Sequence, residues 1–300
     1  MIILLLGSDG QLGKYLSKTI AKKYILKSYN RKKLDLNKLK DIEKVVNYEK
    51  PDIIINASAY TNVEEAENKH KEAFDINHKV PKELSRIAFE KNIWLIHYST
   101  DYVFDGKQKN KYSEIDQRNP LNIYGKSKLA GEFEIQKSYC KYIIFRTSWI
   151  YDVDGFNFIK KIIKRSLSNK ELKVVKDQYG VPTSTELIGK VTLDAIQSIE
   201  KKKSWNSGIY NLVPNGETNW YEMTLLIQKI GQKLENEKKL MDVYIEGVNS
   251  IETKLLAKRP KNSLLLNDKL QKVISFQLPY WQQDFIKTTN EILKKDNNDY

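Results

Sequence analysis

Cysteine is nearly absent from this sequence, since Cys140 is the only one among 300 residues. A single thiol can form neither an internal disulfide nor a cysteine-based zinc cluster, so we expect a reducing compartment and no such metal site. Long hydrophobic runs are absent as well. The apolar start ends at Gly7 and lacks a basic flank, so it is too short for a signal peptide or a membrane span. These absences predict a cytoplasmic protein with no membrane partner.

A concentrated basic segment is also missing, although the formal net charge is +13. Lysine and arginine are scattered along the whole chain, and no basic arm stands out. This distribution disfavours nucleic acid as a partner. An anionic small molecule, such as a dinucleotide or a nucleotide diphosphate, fits the charge better.

Short aliphatic runs alternate with helix-spaced apolar residues through the first half of the chain. Near-continuous hydrophobicity in each run is typical of parallel strands covered on both faces. The repeated βα units predict an α/β fold, a Rossmann-like doubly wound parallel sheet with a smaller C-terminal substrate-binding domain. The predicted strands are Ile2 to Leu6, Ile25 to Tyr29, Asp52 to Asn56, Ile93 to Tyr98 and Tyr142 to Arg146, and the predicted helices are Leu12 to Lys22, Asn37 to Tyr48, Lys71 to Lys91 and Tyr124 to Lys137.

The alternation of predicted strands and helices becomes less regular after Trp149. Glycine and proline in the segment from Asp177 to Ser184 predict a loop. We predict a dinucleotide-binding domain over residues 1–150, with a returning segment near 185–225. Residues 151–184 and 226–296 are assigned to a substrate-binding region. The end of the chain, 297–300, is expected to fray.

A glycine-rich segment follows the first predicted strand and opens the first helix. Glycine lets the backbone approach a pyrophosphate, and a helix N-terminus offers unpaired N–H groups. We predict dinucleotide binding here, with a plain glycine turn as the alternative. The candidate contacts are Gly7, Asp9, Gly10, Gln11, Leu12 and Gly13.

The turn after the second strand bears on the cofactor's identity. No acidic residue that would bind an adenosine ribose stands there, and the sequence is Asn30-Arg31-Lys32-Lys33. Basic side chains accommodate a 2′-phosphate, so Arg31 favours NADPH, with NADH as the alternative. A solvated basic turn explains the same residues equally well.

Tyr124 and Lys128 are four residues apart in a predicted helix, so both side chains emerge on one face. A nearby ammonium would lower the pKa of the tyrosine and let Tyr124 transfer a proton to a substrate oxygen. The same spacing also occurs by chance on a lysine-rich helix. The position of Thr100 favours a catalytic role for this pair over chance spacing. Its segment follows the fourth predicted strand, at the edge where open α/β sheets bind ligands, and its hydroxyl can donate to a developing alkoxide.

Longer segments occur in order along nearly the whole chain, namely 56–61, 97–106, 120–132, 145–149, 177–183 and 259–263. Together they resemble the dTDP-4-dehydrorhamnose reductase family of extended short-chain dehydrogenases/reductases. The glycine loop and the Tyr-xxx-Lys pair belong to the whole superfamily. The segments Ser-Thr-Asp-Tyr-Val-Phe-Asp-Gly and Gln-Tyr-Gly-Val-Pro-Thr are much narrower, and they carry the resemblance.

The resemblance implies a reaction and a set of site residues. A hydride from the nicotinamide would reduce the C4 keto group of a nucleotide-sugar, dTDP-4-dehydro-L-rhamnose, to give dTDP-L-rhamnose. By resemblance, Thr100, Tyr124 and Lys128 are catalytic, and Asp101 and Trp149 lie against the sugar. The resemblance extends the cofactor contacts to Asp35, Leu36, Ala57, Ser58, Ala59 and Tyr60.

Arg259 and Ser263 are candidates for the substrate diphosphate, because a guanidinium fork matches phosphate oxygens; a surface salt bridge is the comparable alternative. Some family members form a magnesium-bridged dimer through carboxylates. Of the family's carboxylate positions, only one carries a carboxylate here, Glu186. Tyr15 and Gln282 stand at the other positions. Neither is a hard anionic ligand, so we expect no metal bridge and a monomer or weak homodimer.

Other functions stay open. An epimerase or 4,6-dehydratase has the same fold, but a dehydratase needs a further acid/base pair, and Tyr102 stands where its carboxylate would be. Reduction of another nucleotide-linked 4-keto-6-deoxy sugar would differ only in loop detail. A non-catalytic regulatory subunit is disfavoured by the intact catalytic residues. We assign no catalytic role to His70, His78 or His97, which lack metal-binding spacing.

Overall fold

A parallel sheet lies at the centre of the molecule, and the computed structural model describes residues 1–201, 205–233, 243–253 and 255–296. Its strands are β1 (Ile2–Leu6), β2 (Ile25–Tyr29), β3 (Ile53–Asn56), β4 (Trp94–Thr100), β5 (Lys141–Thr147) and β10 (Gly208–Asn211). They form a six-stranded sheet in the order β10-β5-β4-β3-β1-β2, and every neighbouring pair is parallel. The predicted Rossmann-like sheet is confirmed.

Successive strand residues alternate between two helical layers. Ile3 and Leu5 pack into one layer, whereas Leu4 and Leu6 pack into the other. Both faces of the sheet are covered, which explains why the strands are unbroken apolar runs in the sequence. The helices that contribute to these layers are α1 (Gln11–Ile20), α2 (Leu39–Glu49), α5 (Val80–Glu90), α6 (Ile123–Lys137), α8 (Thr185–Glu200) and α10 (Asp268–Gln271).

The predicted helix from Lys71 to Lys91 is not one regular helix. After a short α3 (Val63–Ala66), the chain forms α4 (His70–Phe74), a π-helical turn (Asp75–Lys79) and then α5. Asn77, buried in this turn, bonds to both backbone groups of Tyr60 at 2.8 and 2.9 Å and to Ser127 Oγ at 3.0 Å. Apolar spacing does not reveal a widened turn, so this interruption could not be predicted from the sequence.

A second hydrophobic core is built mainly from the later part of the chain. Two parallel paired strands, β7 (Glu171–Val175) and β12 (Tyr244–Val248), pack there with α7 (Phe158–Ser168), α9 (Trp220–Gln232) and α11 (Trp281–Asp296). The interpretation of 177–184 as a loop was wrong in part. The segment contains β8 (Tyr179–Gly180) and β9 (Thr183–Ser184), which pair with β11 (Thr218–Asn219) and β6 (Ile150–Tyr151).

These additional pairings are two residues long, which is too short to produce a strand pattern in the sequence. Among the described ranges, no helix is long and apolar enough to cross a membrane. The predicted tail, 297–300, lies outside the described residues, and so do 234–242 and 254 of the predicted substrate-binding region and 202–204 of the predicted returning segment.

Candidate active site

A cavity of about 500 Å³ opens where β1, β2 and β3 end. This is the edge at which open α/β sheets bind ligands. Most of the predicted cofactor residues line it, namely Gly7, Asp9, Gly10, Arg31, Asp35, Leu36, Ala57, Ser58, Ala59 and Tyr60. The glycine loop, the basic turn and the segment after β3 therefore face one space.

Three predicted cofactor residues, Gln11, Leu12 and Gly13, are not in the lining of this cavity. Leu12 is buried in a helical layer against the sheet, and Gly13 packs against the backbone of Gly7. Gln11 begins α1, and its Nε2 is buried with no hydrogen-bond partner in the described part of the chain. A buried donor without a partner at a helix N-terminus suits an anionic group such as a pyrophosphate.

The glycines of the loop differ in how tightly the backbone surrounds them. Gly7 has a φ of +82°, and a Cβ there would lie 2.7 Å from the backbone nitrogen of Ser58. A Cβ on Gly13 would lie 2.0 Å from the carbonyl oxygen of Gly7. At Gly10 the nearest atom would be 3.4 Å away. Close backbone contact thus requires glycine at the first and third positions.

Gly13→Ala is expected to destabilise the protein, because the added methyl group meets backbone rather than a flexible side chain. Overpacking of this kind costs about 1–3 kcal/mol. Gly10→Ala is the matched control, since Gly10 has an extended conformation with φ −68° and ψ 164°. Urea unfolding measures both variants, and equal losses would contradict the contact with Gly7 as the cause.

Of the three basic residues in the turn after β2, one lines the cavity and two do not. Asn30 Oδ1 accepts the backbone N–H groups of Lys32 and Lys33, both at 3.1 Å, and so shapes the turn. Arg31 lines the cavity, whereas Lys32 and Lys33 are exposed and do not. Arg31 is therefore the residue of this turn placed to meet a phosphate.

Thr100 and Tyr124 come together where β4 ends and α6 begins. Asn122 caps α6 by accepting the N–H of Gly125 at 2.8 Å, which places Tyr124 in the first turn of the helix. The Thr100 and Tyr124 side chains hydrogen-bond to each other. Thr100 Oγ1 also donates to Asp101 Oδ1 at 2.8 Å. A hydroxyl, a phenol and a carboxylate thus form one connected group.

The expectation that Lys128 lowers the pKa of Tyr124 was wrong. Burial raises the pKa of Tyr124 to about 12, opposed by the hydrogen bond with Thr100 and assisted by the charge of Asp101. Lys128 Nζ donates instead to the carbonyl of Tyr98 at 2.6 Å. At neutral pH Tyr124 keeps its proton, which suits a proton donor in a reduction.

Lys128 is itself buried and has an altered pKa. Burial lowers the pKa of the ammonium to about 8, against the opposing charge of Glu132. Its Nζ lies 3.4 Å from Nε2 of His97. The buried lysine can therefore change its charge near neutral pH.

Asp101 and Ser263 meet each other below the surface. Burial raises the pKa of Asp101 to about 6, while hydrogen bonds from the side chains of Thr100 and Ser263 lower it. Ser263 is 2% exposed and does not line the cavity that Arg259 faces. Its contact with the substrate diphosphate therefore stays a prediction.

Trp149 is half-buried and stacks on Trp220, with ring centroids 3.8 Å apart. Its backbone has a φ of +47°, a strained conformation for a tryptophan. Gly180 lies directly against the indole, because a Cβ there would come within 2.5 Å of the ring. The glycine of the narrow Gln-Tyr-Gly-Val-Pro-Thr segment thus makes room for Trp149.

Arg259 forms an ion pair and also faces a cavity. Its Nη1 forms an ion pair with Glu64 Oε1 at 2.6 Å. It also lines a cavity of about 670 Å³, together with Lys107, Lys258 and Lys261. A cavity with this basic lining suits an anionic ligand.

Sequence reasoning missed several buried polar residues around the site. His97 contacts Lys128, and Asn56 contacts His97 at 3.1 Å. Glu132 and Arg146, both fully buried, form an ion pair at 2.7 Å. No periodicity or spacing indicates these contacts; the only available signal was that His97 and Asn56 fall at strand ends next to site segments.

The residues considered for a metal bridge form other contacts. Glu186 is in the first turn of α8 and pairs with Lys287 at 2.6 Å. The ring of Tyr15 packs against Gly189, and Gln282 is exposed. Over the described ranges, no group of three or more His, Cys, Asp or Glu side chains could hold a metal ion.

A parallel sheet, a glycine loop at the end of β1, and a serine-threonine strand end facing a Tyr-xxx-Lys helix define an extended short-chain dehydrogenase/reductase. Residues 1–294 match the family model described as the RmlD substrate binding domain. The chain belongs to this family, whose curated relatives include dTDP-4-dehydrorhamnose reductases.

One relative is the dTDP-4-dehydrorhamnose reductase of Escherichia coli strain K12, which is 36% identical over 97% of this chain and 98% of its own. A crystal structure of the Clostridium acetobutylicum reductase has a TM-score of 0.88 at 33% identity, covering 98% of this chain and all of that one. The Bacillus anthracis reductase, solved in complex with NADP, has a TM-score of 0.87 at 29% identity, covering 98% and 99% of the two chains. Sequence and fold similarity therefore extend over the full described chain.

Proposed function

We propose that this protein reduces the C4 keto group of dTDP-4-dehydro-L-rhamnose to give dTDP-L-rhamnose, with NADPH as the reductant. The connected group of Thr100, Tyr124 and Asp101, at the sheet edge where the cofactor cavity opens, carries the proposal. The names of the relatives supply the sugar nucleotide, and the Bacillus anthracis complex supports NADP as the cofactor.

The cavity at the ends of β1, β2 and β3 fits a dinucleotide phosphate. The tight glycine loop brings backbone N–H groups to the cavity, and Gln11 Nε2 offers a buried donor without a partner among the described residues. Arg31 would hold the 2′-phosphate, and the segment from Ala57 to Tyr60 would line the nicotinamide side. NADPH bound here supplies the hydride.

The chain's own side chains handle the proton. Tyr124, kept neutral by burial, donates its proton to the keto oxygen. Thr100 orients Tyr124, and its single hydroxyl hydrogen, which is donated to Asp101 Oδ1 in this structure, would turn to the developing alkoxide when substrate is bound. Below its pKa of about 8, Lys128 supplies positive charge for this step, while Asp101 and the indole of Trp149 position the sugar. The positions of Thr100 and Asp101 at the end of β4, and of Tyr124 and Lys128 on α6, support these roles.

The cavity lined by Arg259 is proposed to bind the substrate diphosphate. Lys107, Lys258 and Lys261 add positive charge there, and Asn122, which caps α6, donates to the carbonyl of Lys258 at 2.8 Å. The second hydrophobic core supports assigning residues 151–184 and 226–296 to the substrate-binding region. Residues 1–150 and the returning segment near 185–225 would form the dinucleotide-binding domain.

Arg31→Ala is expected to raise the KM for NADPH about tenfold, while the KM for NADH changes little. A hydrogen bond to a charged group contributes about 1.5–3 kcal/mol, and 1.4 kcal/mol corresponds to a tenfold change. Lys32→Ala is the matched control, because Lys32 is not at the cavity. Equal changes in KM for both cofactors would argue against contact with the 2′-phosphate.

The proposed function is tested by following NADPH oxidation with dTDP-4-dehydro-L-rhamnose generated in situ, and by identifying the product by NMR. Formation of dTDP-L-rhamnose supports the proposal. Turnover only with another nucleotide-linked 4-keto-6-deoxy sugar would replace the substrate. A folded protein without turnover that recovers a stoichiometric partner enzyme would indicate the regulatory-subunit function.

We also propose a monomer or weak homodimer in the cytoplasm, without a nucleic-acid partner. The Glu186–Lys287 ion pair supports the proposed oligomeric state. Lys287 neutralises the carboxylate that would otherwise favour a bridging metal ion. Light scattering distinguishes the 35.1 kDa monomer from a dimer. The single free cysteine, buried Cys140, is compatible with a reducing compartment.

A further inference from the structure

His97 lies behind the catalytic lysine, inside the protein. It is a residue of β4, 1% exposed, and its Nε2 is 3.4 Å from Nζ of Lys128. Nζ of Lys128 also donates to the carbonyl of Tyr98 at 2.6 Å. The imidazole therefore occupies a second side of the lysine nitrogen.

The hydrogen bonds of Asn56 determine which ring nitrogen of His97 carries a hydrogen. The backbone N–H of Ser58 donates to Asn56 Oδ1 at 3.1 Å, and the Ser58 hydroxyl donates to the same oxygen. Because a backbone N–H can only donate, the amide oxygen of Asn56 faces Ser58 and the amide nitrogen faces His97 Nδ1, at 3.1 Å. His97 Nδ1 must accept this hydrogen bond, so the neutral ring carries its hydrogen on Nε2.

We propose that His97 is a positioning residue for Lys128: held by Asn56 with its hydrogen on Nε2, it presents a donor to the lysine nitrogen and thereby favours the neutral amine over the ammonium. The inference rests on the proposed function only in so far as Lys128 takes part in the reduction. An amine accepts the Nε2–H hydrogen bond, whereas an ammonium has no lone pair to accept it. A hydrogen bond to the neutral form disfavours the charged form.

The electrostatics of the pocket agree with this arrangement. Burial and the charge of Lys128 hold the pKa of His97 well below its usual range, so the ring stays neutral. Burial lowers the pKa of Lys128 to about 8, and the opposing charge comes from Glu132.

Several other titratable groups on the elements packed around α6 have partners of their own. Glu132 binds Arg146 of β5, and Asp101 binds Thr100. On the π-helical turn and on α3, the pairs are Asp75 with Lys71 and Lys79, His78 with Glu134, Glu64 with Arg259, and Glu65 with Lys69. Tyr124 bonds with Thr100, and Glu67 accepts the backbone N–H of Ile123. His97 is a titratable side chain within hydrogen-bonding distance of Lys128. Its tautomer can be reversed by one substitution, at Asn56.

The same chain of hydrogen bonds reaches the cofactor cavity, because Ser58 lines it. Ser58, Asn56, His97 and Lys128 are linked in that order from the cavity wall to the catalytic helix.

The test reverses the tautomer with Asn56→Asp. A carboxylate at this position still accepts from Ser58, but its second oxygen accepts a hydrogen from His97 Nδ1. The lone pair of Nε2 then faces Lys128 and stabilises the ammonium, so the lysine pKa is expected to rise by about 1 unit or more. In the proposed reaction, the alkaline limb of kcat should move to higher pH by the same amount.

Both changes are read by NMR without turnover, using the full chain labelled at histidine and lysine. The chain has three histidines, so ¹⁵N spectra are simple, and His97→Gln assigns the His97 signals. Wild type should show a neutral Nε2–H ring from pH 6 to 9, and Asn56→Asp an Nδ1–H ring. The ¹³Cε shift of Lys128, assigned with Lys128→Met, gives its titration. Ser58→Ala, which keeps the backbone N–H, should leave the tautomer unchanged.

An Nδ1–H or charged His97 ring in wild type would overturn the proposal, and this result does not depend on any variant folding. A reversed tautomer with an unmoved Lys128 titration would overturn it as well. The expected tautomer and titration in a protein that fails to oxidise NADPH would leave the His97–Lys128 link intact and refute the proposed function instead.

Discussion

Tyr124→Phe is expected to lower kcat by about 10²- to 10⁴-fold, because it removes the proton donor and little else. The KM for NADPH should stay near the wild-type value, since the cavity that would hold the cofactor does not include this side chain. The phenol is buried, and its pKa of about 12 keeps it protonated through the neutral range. The loss should therefore be nearly the same from pH 6 to 9. Steady-state NADPH oxidation measures it.

Tyr210→Phe is the matched control for this variant. Tyr210 is also buried, at 3% exposed, and its hydroxyl donates to the backbone carbonyl of Asn206 at 2.9 Å, away from the proposed site. It loses one hydroxyl from the interior, as Tyr124→Phe does. A kcat for Tyr124→Phe within about tenfold of the control would show that another group delivers the proton.

The sheet and its ligand-binding edge were predictable because they follow from local pattern. Buried parallel strands produce apolar runs, and the chain must place a glycine where Gly13 meets the carbonyl of Gly7. Residues that end neighbouring parallel strands share one edge, so Arg31, Ala57 and Thr100 could be assigned to one edge of the sheet from the sequence alone. Helix spacing likewise put Tyr124 and Lys128 on one face.

The parts that were missed depend on contacts between distant segments. Asn77 reaches Tyr60 and Ser127 from a π-helical turn, and a single widened turn leaves the apolar spacing of the helix almost unchanged. The pKa of Tyr124 depends on how deeply the side chain is buried, which the Tyr-xxx-Lys spacing does not reveal. Ser263 lies 162 positions after Asp101 in the sequence, and only the folded chain brings their side chains together.

The ion pair between Glu132 and Arg146 is the clearest case of a stabilising contact hidden in the sequence. Both side chains have no exposed surface, and Arg146 donates through Nε at 2.9 Å and Nη2 at 2.7 Å to the two carboxylate oxygens. The guanidinium also donates to the carbonyl of Glu114 at 3.2 Å and lies over the ring of Phe104. This pair fastens α6, which carries Tyr124 and Lys128, to β5.

Glu132→Gln is expected to lower the free energy of unfolding by about 3–5 kcal/mol, because it leaves the buried charge of Arg146 without a counterion. Glu90→Gln is the matched control: Glu90 pairs with Arg86 on the surface, with its side chain 47% exposed, and exposed pairs contribute about 0–1 kcal/mol. Urea unfolding compares the two. Similar losses in both variants would mean that burial of the ion pair does not determine how much stability is lost.

A double variant, Glu132→Leu with Arg146→Met, separates the cost of an unpaired charge from the value of the pair. Replacing a buried ion pair with apolar residues of similar volume is often neutral or stabilising, so most of the stability lost in Glu132→Gln should return. The hydrogen bond to the Glu114 carbonyl is lost, which costs about 1 kcal/mol. If the double variant is instead as unstable as Glu132→Gln, the pair itself holds α6 on β5. In that case the position of the catalytic helix depends on the charges and not on the packing around them.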